Sequence, residues 1–120
     1  MKHKILIIDD DYAILEALQI MLEDAGYEIR TTAKGNKTML LVKEYHPDVI
    51  LLDMLISGHD GREIAKELKS NEDTKQIPII MLSAHPTAGK SVMEAGADNF
   101  LAKPFDIDEL LEMVSRYLKK

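Results

Sequence analysis

Val49-Ile50-Leu51-Leu52-Asp53 is a short stretch, apolar at four successive positions and closed by an acid. A run that is apolar at every position, rather than at every second one, fits a strand covered on both faces, as in a parallel sheet sandwiched by helices. Ile5-Leu6-Ile7-Ile8 and Ile79-Ile80-Met81-Leu82 read the same way, and Phe100-Leu101-Ala102 is a weaker example. Glu28-Ile29-Arg30-Thr31-Thr32 alternates instead, which suits an edge strand. Between these runs apolar residues recur at helical spacing. Ile14, Leu15, Leu18, Met21 and Leu22 form one stripe, with Asp11 as N-cap and Gly26 as stop. Asp60 is expected to cap a helix carrying Ile64, Ala65 and Leu68. Ile107, Leu110, Leu111, Val114 and Leu118 form the last stripe, opened by Asp106 and Glu109 in an aspartate version of the capping box. The alternation amounts to five β/α units, a doubly wound α/β domain over residues 1–120.

Composition narrows the function. The chain has 120 residues and no cysteine, which excludes thiolate catalysis, disulfides and cysteine-ligated zinc. No apolar run approaches the roughly 20 residues of a membrane helix. The opening Met1-Lys2-His3-Lys4-Ile5 leads straight into a short apolar run ending in acid, unlike a signal peptide, so a cytoplasmic location is expected. A net charge of −6 argues against direct nucleic-acid binding by this domain, because that needs a basic face.

In an open α/β sheet, ligands sit beyond the carboxyl ends of the strands. There the first strand is followed by Asp9-Asp10-Asp11, the third ends in Asp53, the fourth in Ser83, and the fifth in Lys103-Pro104. Carboxylates about 5 Å apart repel by roughly 3 kcal/mol per pair at an effective dielectric near 20. Either a proton is shared or a cation is bound. Oxygen ligands without His or Cys between them point to Mg²⁺ or Mn²⁺. Metal, the Lys103 ammonium and the Ser83 hydroxyl together can neutralise the equatorial oxygens of a phosphoryl group in transfer. A carboxylate nucleophile yields an acyl phosphate. Taken singly, each residue has an ordinary reading: Asp11 as a helix cap, Asp53 as a structural acid, Lys103 as a strand-end lysine. His3, His46, His59 and His85 fall at the terminus or in expected loops without ligand spacing. The conjunction on successive strand ends carries the argument.

With those residues in view, the chain resembles the receiver domain of bacterial and archaeal response regulators, the CheY-like superfamily, over essentially its whole length. The matching stretches are residues 5–10, 48–53 leading to Asp60-Gly61, 77–84, and 95–105. The resemblance implies a flavodoxin-like (βα)5 fold with a five-stranded parallel sheet in the order 2-1-3-4-5. It implies Asp53 as phosphoacceptor, and Asp9, Asp10 and the Leu55 backbone carbonyl as Mg²⁺ ligands beside it. Ser83 matches the switch hydroxyl, Lys103 the phosphate lysine and Phe100 the switch aromatic. It also implies a cis Lys103-Pro104 peptide and a partner surface on the fourth helix, fifth strand and fifth helix. The implied partners are a sensor histidine kinase or histidine phosphotransfer protein upstream, and an effector protein or fused output domain downstream. A phosphorylation-dependent dimer is one expected output. Such a domain catalyses only its own phosphorylation and dephosphorylation.

Two departures stand out. Ile56-Ser57 occupies the place where the family often has Met-Pro, which puts the rigidity of that loop in question. Pro86 and Gly89 lie where the fourth helix should begin, so that helix is expected to be short or late. The rival enzyme reading is a haloacid-dehalogenase-type phosphatase, with Asp9 as nucleophile and Asp11 as acid. It leaves Asp53 unexplained, and the chain is short for that fold. A flavodoxin is disfavoured because the turn after the first strand is acidic rather than phosphate-cradling. A degenerate receiver serving only as a binding module would be expected to lack an acid, hydroxyl or lysine of the set, and none is missing. The lack of an output domain suggests a stand-alone regulator or relay intermediate, or a piece of a longer protein.

Overall fold

A computed structural model describes residues 2–118. The elements run β1 (Lys4–Ile8), α1 (Tyr12–Asp24), β2 (Glu28–Thr32), a 3-10 turn (Gly35–Lys37), α2 (Thr38–Tyr45), β3 (Val49–Asp53), β4 (Leu55–Ile56), β5 (His59–Asp60), α3 (Gly61–Ser70), β6 (Ile79–Ser83), α4 (Gly89–Glu94), β7 (Asn99–Ala102) and α5 (Ile107–Leu118). Five strands form one sheet in the order β2-β1-β3-β6-β7, and every pairing within it is parallel. Counted along the chain, that is the 2-1-3-4-5 order of a doubly wound (βα)5 domain.

The apolar runs are continuous because both faces of the sheet are covered. Ile5, Ile7, Val49, Leu51, Ile80 and Leu82 pack against α1 and α5. Their neighbours Leu6, Ile8, Ile50, Leu52, Ile79 and Met81 pack on the other face, with α2, α3 and α4. All twelve side chains are fully buried, each a contribution of about 1.5–3 kcal/mol relative to exposure. The edge strand β2 is only half covered, which is why its sequence alternates.

Helix ends follow the local signals. The Asp11 side chain accepts from the Ala13 and Ile14 N–H groups and starts α1, and Gly26 follows the helix with φ +102°. Asp60 accepts from Arg62 N–H and caps α3. Asp106 accepts from Asp108 N–H ahead of α5; among the described residues no side-chain hydrogen bond joins Asp106 and Glu109, so Asp106 serves as a simple cap and the expected box does not form. The α4 helix has six residues, short as Pro86 and Gly89 suggested. The Lys103-Pro104 peptide is cis.

One element was not expected. The segment after Asp53 is a tight antiparallel hairpin, with Leu55 opposite Asp60 and Ile56 opposite His59. Ser57 and Gly58 form its two-residue turn, with φ +31° and +82°. Positive φ at both central positions is the signature of the hairpin turn that matches strand twist. Gly61 lets this hairpin fold back, because a β-carbon there would run into the Asp53 carbonyl oxygen, and its N–H donates to the Met54 carbonyl at 2.6 Å. Ile56 is fully buried, so the loop whose rigidity was in question is pinned by its own ladder and by the core.

Candidate functional site

The sheet order creates the site. From β1 the chain first goes outward to β2, then returns past β1 to β3 on the other side. The loops leaving β1 and β3 therefore diverge, opening a crevice at their carboxyl ends. Asp9 and Asp10 stand just beyond β1, and Asp53 is the last residue of β3. One carboxylate oxygen from each lies within 4.8 Å of the others.

The three acids are held differently. Asp9 is fully buried; its Oδ2 accepts from Lys103 Nζ at 2.8 Å and its Oδ1 from Asp11 N–H at 3.0 Å. Asp53 is buried and pairs with the same ammonium at 3.3 Å. Asp10 is half-buried and reaches across to the hairpin, where its Oδ2 accepts from both the N–H and the hydroxyl of Ser57, each at 2.9 Å. Three carboxylates thus face one ammonium. Burial, and next the charge of Asp9, push the Asp53 carboxyl up to about 6, with Lys103 pulling the other way. The two Ser57 bonds hold Asp10 below its ordinary value. Burial alone would depress the Lys103 ammonium, but its bonds and attraction to Asp9 and Asp53 outweigh that and raise it.

The donor set suits a hard divalent cation. It offers carboxylate oxygens without His or Cys, and negative charge in excess of the one ammonium. Leu55 opens the hairpin two residues beyond Asp53, its side chain half exposed. Ser83 ends β6, fully buried; its hydroxyl accepts from His85 N–H at 3.0 Å, and its carbonyl accepts from Lys103 N–H at 2.7 Å. Phe100 lies half-buried on β7 with its ring against Gly89, the first residue of α4. The structure therefore gathers Asp9, Asp10, Asp53 and Lys103 directly, and sets Ser83 and Phe100 on the adjoining strands.

Asp11 caps α1 as its position in the sequence indicated, and its carboxylate accepts from Ala13 and Ile14 N–H, which speaks further against the rival phosphatase role. Ser57, first read only as a departure from the family pattern, binds an acid of the cluster. The Ser57-Gly58 dipeptide between apolar and polar neighbours is a turn signal that could have marked the hairpin.

The response regulator receiver domain model matches residues 5–115 of the chain. The chain is 38% identical over 119 residues to the DNA-binding dual master transcriptional regulator RpaA of Synechocystis sp., covering 98% of this chain and 49% of that protein. It therefore spans about half the length of that curated relative. Among solved structures, a protein described as a response regulator from Chloroflexus aurantiacus superposes with a TM-score of 0.94 at 36% identity, over the whole of both chains. The response regulator TrrA of Thermotoga maritima, in complex with Mg²⁺ and a beryllium fluoride, gives a TM-score of 0.88 at 34% identity, covering 98% of this chain and 100% of that one.

Proposed function

The chain belongs to the response regulator receiver family, and from that premise we propose that Asp53 is the residue that takes the phosphoryl group. The observation that carries this is its placement: the last residue of the central strand β3, buried, with two further acids within 4.8 Å and an ammonium at 3.3 Å. An Asp53 carboxylate oxygen attacks phosphorus, the bond from phosphorus to the donor's nitrogen or oxygen breaks, and the leaving group keeps the electron pair. Attack needs the ionised carboxylate. With its value near 6, Asp53 is mostly ionised at neutral pH. Lys103 stands ready to neutralise charge on the transferred group, and a rotation of Ser83 would bring a hydroxyl donor to it. Asp9, Asp10 and Asp53, with the Leu55 carbonyl, would hold Mg²⁺, which when bound would supply further positive charge to the phosphoryl oxygens.

Residues 1–120 act as one receiver unit in this reading. Its phosphodonor is a sensor histidine kinase or a histidine phosphotransfer protein in the cytoplasm. Its output is an effector protein or fused domain that reads α4, β7 and α5. Ser83 and Phe100 link the site to that surface: when Ser83 turns towards the phosphoryl oxygens, Phe100 gains room to turn inwards.

Incubation with acetyl phosphate and Mg²⁺ tests the assignment. One phosphoryl mass should be added, labile to hydroxylamine as an acyl phosphate is, and Asp53→Asn should abolish it. Stoichiometric labelling of the variant would mean that another residue is the nucleophile.

A further inference from the structure

We propose that Ser57 is a positioning residue, which holds the Asp10 carboxylate in place for a divalent cation. The inference rests on the reading that Asp9, Asp10 and Asp53 bind such a cation, and it adds a residue outside that set.

Asp10 is the acid of the cluster most in need of a restraint. Asp9 is buried and tied to Lys103 and to the Asp11 N–H, and Asp53 is buried at the end of a central strand and paired with the same lysine. Asp10 is half-buried, and repulsion from its two neighbours would drive an unrestrained carboxylate outward, away from the place a cation would occupy. Among the described residues, both side-chain hydrogen bonds to Asp10 come from Ser57, one from the N–H and one from the hydroxyl, and both fall on Oδ2. Two donors on one oxygen fix the position of the carboxylate as a single one does not. These bonds also join segments that lie 47 residues apart, the loop after β1 and the tip of the β4–β5 hairpin.

The backbone adds a second observation. Ser57 has φ +31°, a conformation that residues other than glycine and asparagine rarely adopt. A two-residue turn with positive φ at both positions is best served by Asn-Gly or Gly-Gly. Serine is a poor choice for the turn itself, and the hydroxyl it brings donates to Asp10. A hydrogen-bonded partner that orients a metal-ligating carboxylate is commonly worth a tenfold or larger change in metal affinity.

Mg²⁺ titration of the full chain by calorimetry, with thermal melts in parallel, tests this on the wild type, Ser57→Ala, Ser57→Gly, Asp10→Asn and the double variant Ser57→Ala with Asp10→Asn. Ser57→Ala and Ser57→Gly should each weaken Mg²⁺ by roughly tenfold. Ser57→Gly relieves the turn, so its metal-free melting temperature should not fall; affinity lost without stability lost is what a merely structural serine would not produce. With Asp10 already neutral, adding Ser57→Ala should change little, the coupling expected of two groups acting as one. Wild-type affinity in both single variants overturns the inference and leaves the metal reading intact. Losses that simply add in the double variant also overturn it, since Ser57 would then act elsewhere. Absence of saturable Mg²⁺ binding by the wild type overturns the metal reading and this inference together.

Discussion

At the amino end of the sheet, Asp48 and Asp98 each stand just before a strand and close a reciprocal pair of bonds with the first residue of a neighbour. Asp48 accepts from Lys4 N–H at 2.7 Å while its own N–H donates to the Lys4 carbonyl at 2.7 Å. Asp98 does the same with Ile79, at 2.8 Å each way, and adds an ion pair with Lys69 at 2.8 Å. At the carboxyl end, Asp9, Asp10 and Asp53 crowd within 4.8 Å around a single ammonium. The same side chain thus ties strands together at one end and stands in excess at the other. Matched acids contribute to stability. Asp53, raised by burial and by the charge of Asp9, costs stability when ionised, and such an acid persists where a ligand can use its charge.

Metal titration should separate the two ends of the sheet most widely. Replacing both Asp9 and Asp10 with Ala should weaken Mg²⁺ by one to two orders of magnitude or more, because charged ligands are lost outright. Replacing both Asp48 and Asp98 with Ala should leave Mg²⁺ affinity unchanged. Calorimetric titration of the two double variants checks both halves, and equal losses would erase the distinction between the two ends.

Stability of the metal-free protein should move in opposite directions at the two ends. Asp98→Ala leaves the buried Ile79 N–H without its side-chain acceptor and Lys69 without its partner, for a loss of about 1–3 kcal/mol. Asp53→Asn should instead stabilise. Its carboxyl is raised from 3.8 to about 6, chiefly by burial and then by Asp9, so folding favours the protonated form. Its relative contribution is therefore fully present below about pH 4 and lost as pH rises through about 6. Wild type and Asp53→Asn should have similar stability near pH 4, and the variant should lead by on the order of 1–3 kcal/mol at pH 7. Urea melts at the two pH values would show it. Saturating Mg²⁺ should reverse the order at pH 7, by stabilising the protein that can bind it.

How far the sequence announced this depends on the range of the interaction. The strand runs and the Asp11 and Asp60 caps are local signals, and the structure carries them where the pattern put them. The gathering of Asp9, Asp10, Asp53 and Lys103 was legible because sheet topology sends every strand's carboxyl end to one rim. The Ser57 contact was not, because it joins loops 47 residues apart and depends on a hairpin only two residues deep on each side. The reciprocal bonds of Asp48 and Asp98 were missed for the same reason: each depends on the register between parallel strands, which no short window of sequence contains.

The smallest expected effect lies between the two ends, where Phe100 on β7 meets α4. Gly89 opens α4, and a β-carbon added there would lie 3.4 Å from Cδ2 and 3.8 Å from Cε2 of the Phe100 ring. Those are ordinary packing distances, so alanine fits without displacing the ring. Gly89→Ala should stabilise the protein by up to about 0.5–1 kcal/mol, through lower chain entropy in the unfolded state and the added contact with the ring. Because that contact exists only for the present placement of Phe100, the same variant should resist any change that requires the ring to move. With beryllofluoride as phosphoryl mimic, chemical-shift changes from Ser83 through Phe105 should shrink relative to wild type, while those beside Asp53 remain. A bias of this size shifts a two-state ratio only about two- to fivefold, so the response should be reduced and not abolished. If Gly89→Ala raises stability yet leaves the response from Ser83 through Phe105 untouched, the Phe100 ring does not carry the signal between site and surface.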